Sequence, residues 1–233
     1  MVAIEGSLTA SHDTGYTFQC IAEVIYAKSV CAWYGSLGIG CGVIKKRNVL
    51  YSDFNCPFCY AMHERLHEMN LLDRCEWRGV QHAPQLPRPM KPWQGSLGAE
   101  LRHEVAVVQR LAPGLPISLP PGKPNTRPAI EQAVALLQRD PSHMMAFVRE
   151  TYRAFWCEGK DISDPEVLRQ LVEQVGGSPE SMGSIDDEDR QVAQKWETAW
   201  HATGQAGVPL IVSPEGEVLV GCAPSEDIRR FFA

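Results

Sequence analysis

The sequence has little positive charge: 22 Lys and Arg against 28 Asp and Glu leave a net charge of −6, and the only basic run of three is Lys45-Lys46-Arg47. A nucleic-acid partner draws on a broad positive surface, so that class is excluded. Long apolar runs are missing too. Ser29 to Ile44 is uncharged, but it spans 16 residues and carries Gly35, Gly38, Gly40 and Gly42. A spanning helix needs roughly 20 residues, so no membrane segment is expected. The opening lacks the basic and then apolar stretch of a secretory leader, since Glu5 and Asp13 stand there. Internal repeats, low-complexity tracts and a second Cys-x-x-Cys are absent as well.

What is present is an ordinary globular composition, 44% hydrophobic and 21% charged over 233 residues, long enough to bury a core without disulfides. The eight cysteines, at 20, 31, 41, 56, 59, 75, 157 and 222, are too scattered for a small secreted disulfide scaffold. The expectation is a reducing, cytoplasmic setting in which most thiols are buried and inert and one pair carries the chemistry.

Residues 1–47 show no period of 2 or 3.6 and read as an unpatterned, poorly ordered extension. Residues 1–42 are expected to be dispensable, with Val43 an alternative start. Patterning begins at Asn48, where NVLYSDF reads as a buried strand. A helix follows Cys56-Pro57-Phe58-Cys59 to about Asn70, with Phe58, Met62, Leu66 and Met69 on one face. Glu76 to His82 is a second strand. Residues 93–205 form an inserted helical block of five amphipathic segments, whose inward stripes include Leu97, Leu101, Val105 and Val108 in the first and Trp196 and Trp200 in the last. Asp140-Pro141 and Asp164-Pro165 open the third and fourth as cap and first helical residue. The acids Asp186 to Asp189 favour the positive end of the fifth. Leu210-Ile-Val and Glu217 to Gly221 are strands around the Pro214-Glu-Gly216 turn, and a helix closes the chain near Phe232. The fold class is α/β: a mixed four-stranded sheet (β-α-β, β-β-α) built from residues 48–92 and 206–233, interrupted by the helical insertion.

Cys-x-x-Cys between a strand and a helix has a chemical use. Cys56 lies where unpaired backbone N–H groups and the helix dipole favour an anion, so its thiolate is stabilised. Cys59, one turn on, can close a disulfide or resolve a mixed one, and Pro57 has no N–H to lose in the first turn. A zinc site from Cys56, Cys59, His63 and His67 fails on distance, since positions 56 and 67 of a helix lie ~16 Å apart. His63 and His67 therefore read as solvated or partly packed, and no metal is expected. Trp93, Phe155, Trp156, Trp196 and Trp200 read as helix–helix core before they read as a substrate cleft. Val208-Pro209 reads locally as a proline at a strand start.

YSDFNCPFCY at 51–60, the helical insertion and GVPLIVSPEGEVLVG at 207–221 together resemble the DsbA-like branch of the thioredoxin superfamily, which includes 2-hydroxychromene-2-carboxylate isomerases and kappa-class glutathione transferases. The resemblance implies a thiol–disulfide oxidoreductase with Cys56 as nucleophile and Cys59 as resolving thiol. It implies that Pro209 is cis and faces the dithiol, and that Pro57, Phe58, Val208 and Pro209 contact the substrate. The implied partners are protein or small-molecule thiols and disulfides, with no tightly bound cofactor and glutathione as a co-substrate. A glutathione-dependent transferase or isomerase is the alternative, and a redox-sensing or metal-binding protein the third reading. Two departures stand out. Leu50 occupies the place of the buried acid of thioredoxins, a role that Asp53 does not inherit. Phe58 replaces the His of strongly oxidising relatives, which predicts a less oxidising pair because Phe brings no cation to the thiolate.

Overall fold

A computed structural model describes residues 47–178 and 185–233. The expected N-terminal extension, with its cysteines and the uncharged stretch to Ile44, lies outside the described residues apart from Arg47. Residues 46–233 cluster as one compact unit. Among the described residues no helix is long and apolar enough to cross a membrane.

The sheet is mixed and four-stranded, in the order β2-β1-β3-β4, with β1 at Asn48–Ser52, β2 at Cys75–Gly79, β3 at Leu210–Val212 and β4 at Val218–Val220. β2 runs parallel to β1, as a strand–helix–strand crossover requires, whereas β3 is antiparallel to both β1 and β4. Seven α-helices accompany it among the described residues. α1 (Pro57–Glu68) links β1 to β2. The run α2 (Leu97–Leu111), α3 (Arg127–Arg139), α4 (Pro141–Trp156), α5 (Pro165–Gln174) and α6 (Asp187–Ala202) separates β2 from β3, and α7 (Ser225–Phe231) ends the chain.

Strand alternation sends side chains to opposite faces. Leu50 stands level with Trp77 and Ile211, and this row anchors the main core against the helices. Tyr51, Val80 and Leu210 form a second, smaller cluster on the other face. α6 serves both: Trp196 packs edge-on to Trp77 at 6.1 Å, while Trp200 joins Tyr51. Phe155, Trp156, Trp196 and Trp200 are all buried. These aromatics are core, and only Trp93 stays partly open beside a shallow cavity of about 110 Å³.

Several local expectations need correction. β1 stops at Ser52, because Asp53 and Phe54 turn the chain toward α1 instead of continuing the ladder. Leu97 is 48% exposed, since it opens α2 where the first turn has not yet met the core. Asp140 does not cap α4 through its side chain; that carboxylate accepts hydrogen bonds from His143 and Ser178 instead. Asp164 does cap α5, accepting from the Glu166 N–H. The acids at 186–189 do more than meet a dipole: Asp186 and Asp189 form a capping box, and both pair with Arg139 of α3. His63 is the clearest miss, being completely buried, while His67 is exposed. α1 is packed by both α2 and α4, and eight of its twelve residues, His63 among them, are buried.

Candidate active site

β1 points its C-terminal end at the first turn of α1. The turn closes with the Cys56 N–H donating to the Asp53 carbonyl at 3.2 Å, and Cys56 takes the N-cap position in extended conformation (φ −103°, ψ 118°). Its carbonyl accepts the first helical bonds, from Cys59 and Tyr60, while its side chain makes no capping bond. The sulfur is thus left beside the free N–H groups of the helix start. Pro57 follows at the first helical position.

Both thiols are free, and they differ in surroundings. Cys56 is 7% exposed, whereas Cys59 is fully buried. A hydrogen bond from the Cys59 thiol, opposed by burial and assisted by the positive charge of His82, holds the Cys56 thiol below its ordinary range. Burial, and then the interaction with Cys56, pushes the Cys59 thiol well up. The Asp53 backbone N–H points at the Cys59 sulfur at 3.4 Å. Beneath it, Ser52 Oγ and the Tyr152 hydroxyl hydrogen-bond at 2.6 Å in a fully buried pair. Burial likewise pushes the Cys75 thiol up to about 12.

The sheet brings the chain back to this point from the other end of the sequence. The Cys56 sulfur lies 3.6 Å from the Val208 carbonyl, and the Val208–Pro209 peptide is cis. The Gly221 N–H ties the Pro209 carbonyl to the β4 side at 2.8 Å. Cys56, Pro57, Phe58, Cys59, Val208 and Pro209 therefore occupy one neighbourhood, with Phe58 and Val208 part-exposed and the rest buried.

Residues outside the sequence motif complete it. The Asp53 carboxyl is wholly buried. Its Oδ2 accepts from the His82 backbone N–H at 2.9 Å and lies 2.6 Å from His82 Nδ1, while Oδ1 makes no hydrogen bond. Burial pulls the His82 imidazolium down, but the Asp53 hydrogen bond and charge outweigh it, so the net shift is upward. His82 Nε2 faces Lys123 Nζ at 3.3 Å. Asn125 fixes both flanks: its side chain binds Gln81, Arg88 and the carbonyls of Pro84 and Leu86, and the adjoining Pro124 carbonyl accepts from Asn55. Phe58 brings no charge to the dithiol, and the positive charge that acts on Cys56 comes from His82, outside the motif. The missed signal was topological. Two parallel strands end on the same side of a sheet, where α/β sites form, and Asp53 and His82 lie just past those two ends.

Among the described residues no cluster of three or more His, Cys, Asp or Glu could hold a metal ion. A separate cavity of about 550 Å³ opens at the far end of α1, bordered by His67, Asp73, Arg149 and Gln174 and by neither motif cysteine.

Residues 49–233 match the DSBA-like thioredoxin domain family. No curated protein matches the chain in sequence. Solved structures share the fold at low identity, among them the following three. A provisionally assigned protein disulfide isomerase from Nitrosomonas europaea is 20% identical, with TM-score 0.64 over 80% of this chain and 96% of its own. Cytosolic disulfide reductase DsbM from Pseudomonas aeruginosa with GSH is 19% identical, with TM-score 0.60 over 80% and 97%. A 2-hydroxychromene-2-carboxylate isomerase is 17% identical, with TM-score 0.60 over 80% and 93%.

Proposed function

Since the chain belongs to the DSBA-like thioredoxin domain family, we propose that it is a thiol–disulfide oxidoreductase with Cys56 as nucleophile and Cys59 as resolving thiol. The supporting observation is the unequal placement of the two sulfurs at one helix start. Cys56 sits at the N-cap with its sulfur by the Val208 carbonyl, and Cys59 lies buried behind it.

The Cys56 thiolate attacks one sulfur of a substrate disulfide. A Cys56–substrate disulfide forms, the substrate S–S bond breaks, and the departing thiolate takes a proton. Cys59 then loses its proton and attacks the Cys56 sulfur, releasing the second substrate thiol and leaving a Cys56–Cys59 disulfide. Substrate is reduced by two electrons and the dithiol oxidised by two. Two equivalents of a small thiol, for which glutathione is our candidate co-substrate, reverse the sequence in a reducing cytoplasm. Val208 offers its backbone to an extended substrate, Pro209 presents no competing N–H, and part-exposed Phe58 beside Pro57 gives an apolar contact.

Incubating Cys59→Ser with glutathione disulfide should accumulate a mixed disulfide at Cys56, detected by mass spectrometry, and Cys56→Ser should not. A Cys56→Ser protein that still reduces disulfides would remove Cys56 from the reaction. Glutathione binding without any mixed disulfide would turn the assignment toward a transferase or isomerase.

A further inference from the structure

We propose that His82, held by the buried Asp53 carboxylate, is a positioning residue that supplies the fixed cation of the dithiol site and stabilises the Cys56 thiolate from outside the Cys-x-x-Cys motif. This rests on the reading of Cys56 as nucleophile and extends it to the source of its reactivity.

Asp53 is the joint of the site. Its carbonyl receives the Cys56 N–H, its own N–H meets the Cys59 sulfur, and its carboxylate grips His82 twice, through ring and backbone. A wholly buried carboxylate with one oxygen lacking any hydrogen bond is costly unless its partner carries a positive charge. Nδ1 against the Asp53 carboxylate gives the pair a defined direction, and an imidazolium there sets its Nε2–H against Lys123 Nζ at 3.3 Å, the contact that opposes the charge. The Asp53 oxygens are sealed inside, whereas the His82 side chain is 27% exposed, so the basic partner is the open end of the pair, and its charge and that of Cys56 act on each other. Asp53 also acts on Cys56, in the opposite sense, yet His82 has the larger effect.

Three titratable or charged groups bear on His82. Asp53, from the turn after β1, favours the imidazolium, as does a Cys56 thiolate at the start of α1. Lys123, from the segment before α3, opposes it. The Asn125 hydrogen bonds hold the chain on both sides of His82 to the segment carrying Lys123. Residue 58, inside the motif, is then released from the duty of carrying charge and is free to be an apolar contact.

A thiolate and an imidazolium that act on each other titrate as a pair. In the full-length protein, thiolate absorbance at 240 nm should rise in two steps with pH, one with each proton that the pair loses. In His82→Gln the rise should become a single step, displaced upward by about one pH unit, the size expected when a neighbouring opposite charge is lost. Cys56 alkylation at pH 6 should slow by about tenfold and be unchanged at pH 10, where the thiolate is fully formed in both proteins. Asp53→Asn should move the titration in the same direction. Coupling is reciprocal, so a measurement on the wild-type chain covers the case in which the variants do not fold. Blocking Cys56 with iodoacetamide should lower the His82 midpoint followed by its ring-proton NMR signal. An unchanged Cys56 titration in folded His82→Gln, or a His82 midpoint indifferent to blocking, overturns the proposal. A wild-type Cys56 titrating at the ordinary value of a free thiol would overturn the oxidoreductase reading itself, so the two failures are told apart.

Discussion

The two ends of α1 each hold a buried acid paired with a base from elsewhere in the chain, and the pairs behave differently. At the N-terminal end, Asp53 pairs with His82 beside the dithiol. Toward the other end, Glu64 pairs with Arg149 of α4 through two hydrogen bonds of 2.8 Å, next to His63, whose ring nitrogens make no hydrogen bond. Despite burial, the Arg149 hydrogen bonds and charge hold the Glu64 carboxyl at about 2. Burial lowers His63, so it stays neutral against Tyr152, 5.3 Å between ring centroids. Arg149 keeps its charge at every accessible pH, whereas His82 can lose its own near neutrality. One pair is a permanent brace between two helices; the other can switch.

The largest expected effect separates chemistry from bracing. Cys56→Ser should abolish disulfide exchange while leaving the denaturation midpoint nearly unchanged, and Glu64→Gln should do the reverse. Glu64→Gln leaves Arg149 facing a neutral amide, at a cost on the order of 2–3 kcal/mol read by urea titration. If Glu64→Gln also moves the Cys56 thiolate titration, the two ends of α1 are coupled and the division fails.

Next in size is the pH dependence of stability, where the two histidines have opposite signs. His63 and Glu64 both have lowered values in the folded state. Their contributions are whole above the ordinary 6.5 and 4.5 and are withdrawn as pH falls through the folded values. His82 is raised, so its contribution is whole below 6.5 and is lost as pH rises through its folded value. The two windows meet at about 6.5, where the contributions oppose each other in the wild type. His82→Gln should uncover a loss of about 1 kcal/mol between pH 7 and 5.5, and His63→Leu should flatten it. Parallel curves for the two variants would show that the histidines do not differ in this way.

The smallest effect tests the layer between the two ends. Tyr152→Phe removes the hydroxyl paired with Ser52 under Cys59 and should cost about 1 kcal/mol. The Cys56 titration should stay put, since that layer touches the resolving thiol and not the nucleophile. A shift at Cys56 comparable to that of His82→Gln would move the control of reactivity from His82 to this buried hydroxyl pair.

Much of the fold was legible because it is written locally. Pro141 and Pro165 opened helices where expected, since a fixed φ and a missing N–H suit only the first turn. The Leu210–Val212 and Val218–Val220 strands showed as short apolar runs around a turn whose Gly216 takes φ +90°. α1 was legible in extent but not in burial. A single apolar stripe predicts one buried face, whereas α1 is packed from several sides and draws His63 and Glu64 inside.

The same division runs through the site. Cys56 and Cys59 were set by sequence alone, because N-cap and helix-start geometry depends on a handful of neighbouring residues and one turn of backbone. Their company was not. Asp53 and His82 are 29 residues apart, Ser52 and Tyr152 100, and Cys56 and Val208 152. Nothing in local backbone preference encodes such a meeting. The strand order β2-β1-β3-β4 delivers the ends of β1, β2 and β3 to one edge, and only when the sheet and its helices pack do a buried aspartate, a half-open histidine and a proline loop close around the dithiol.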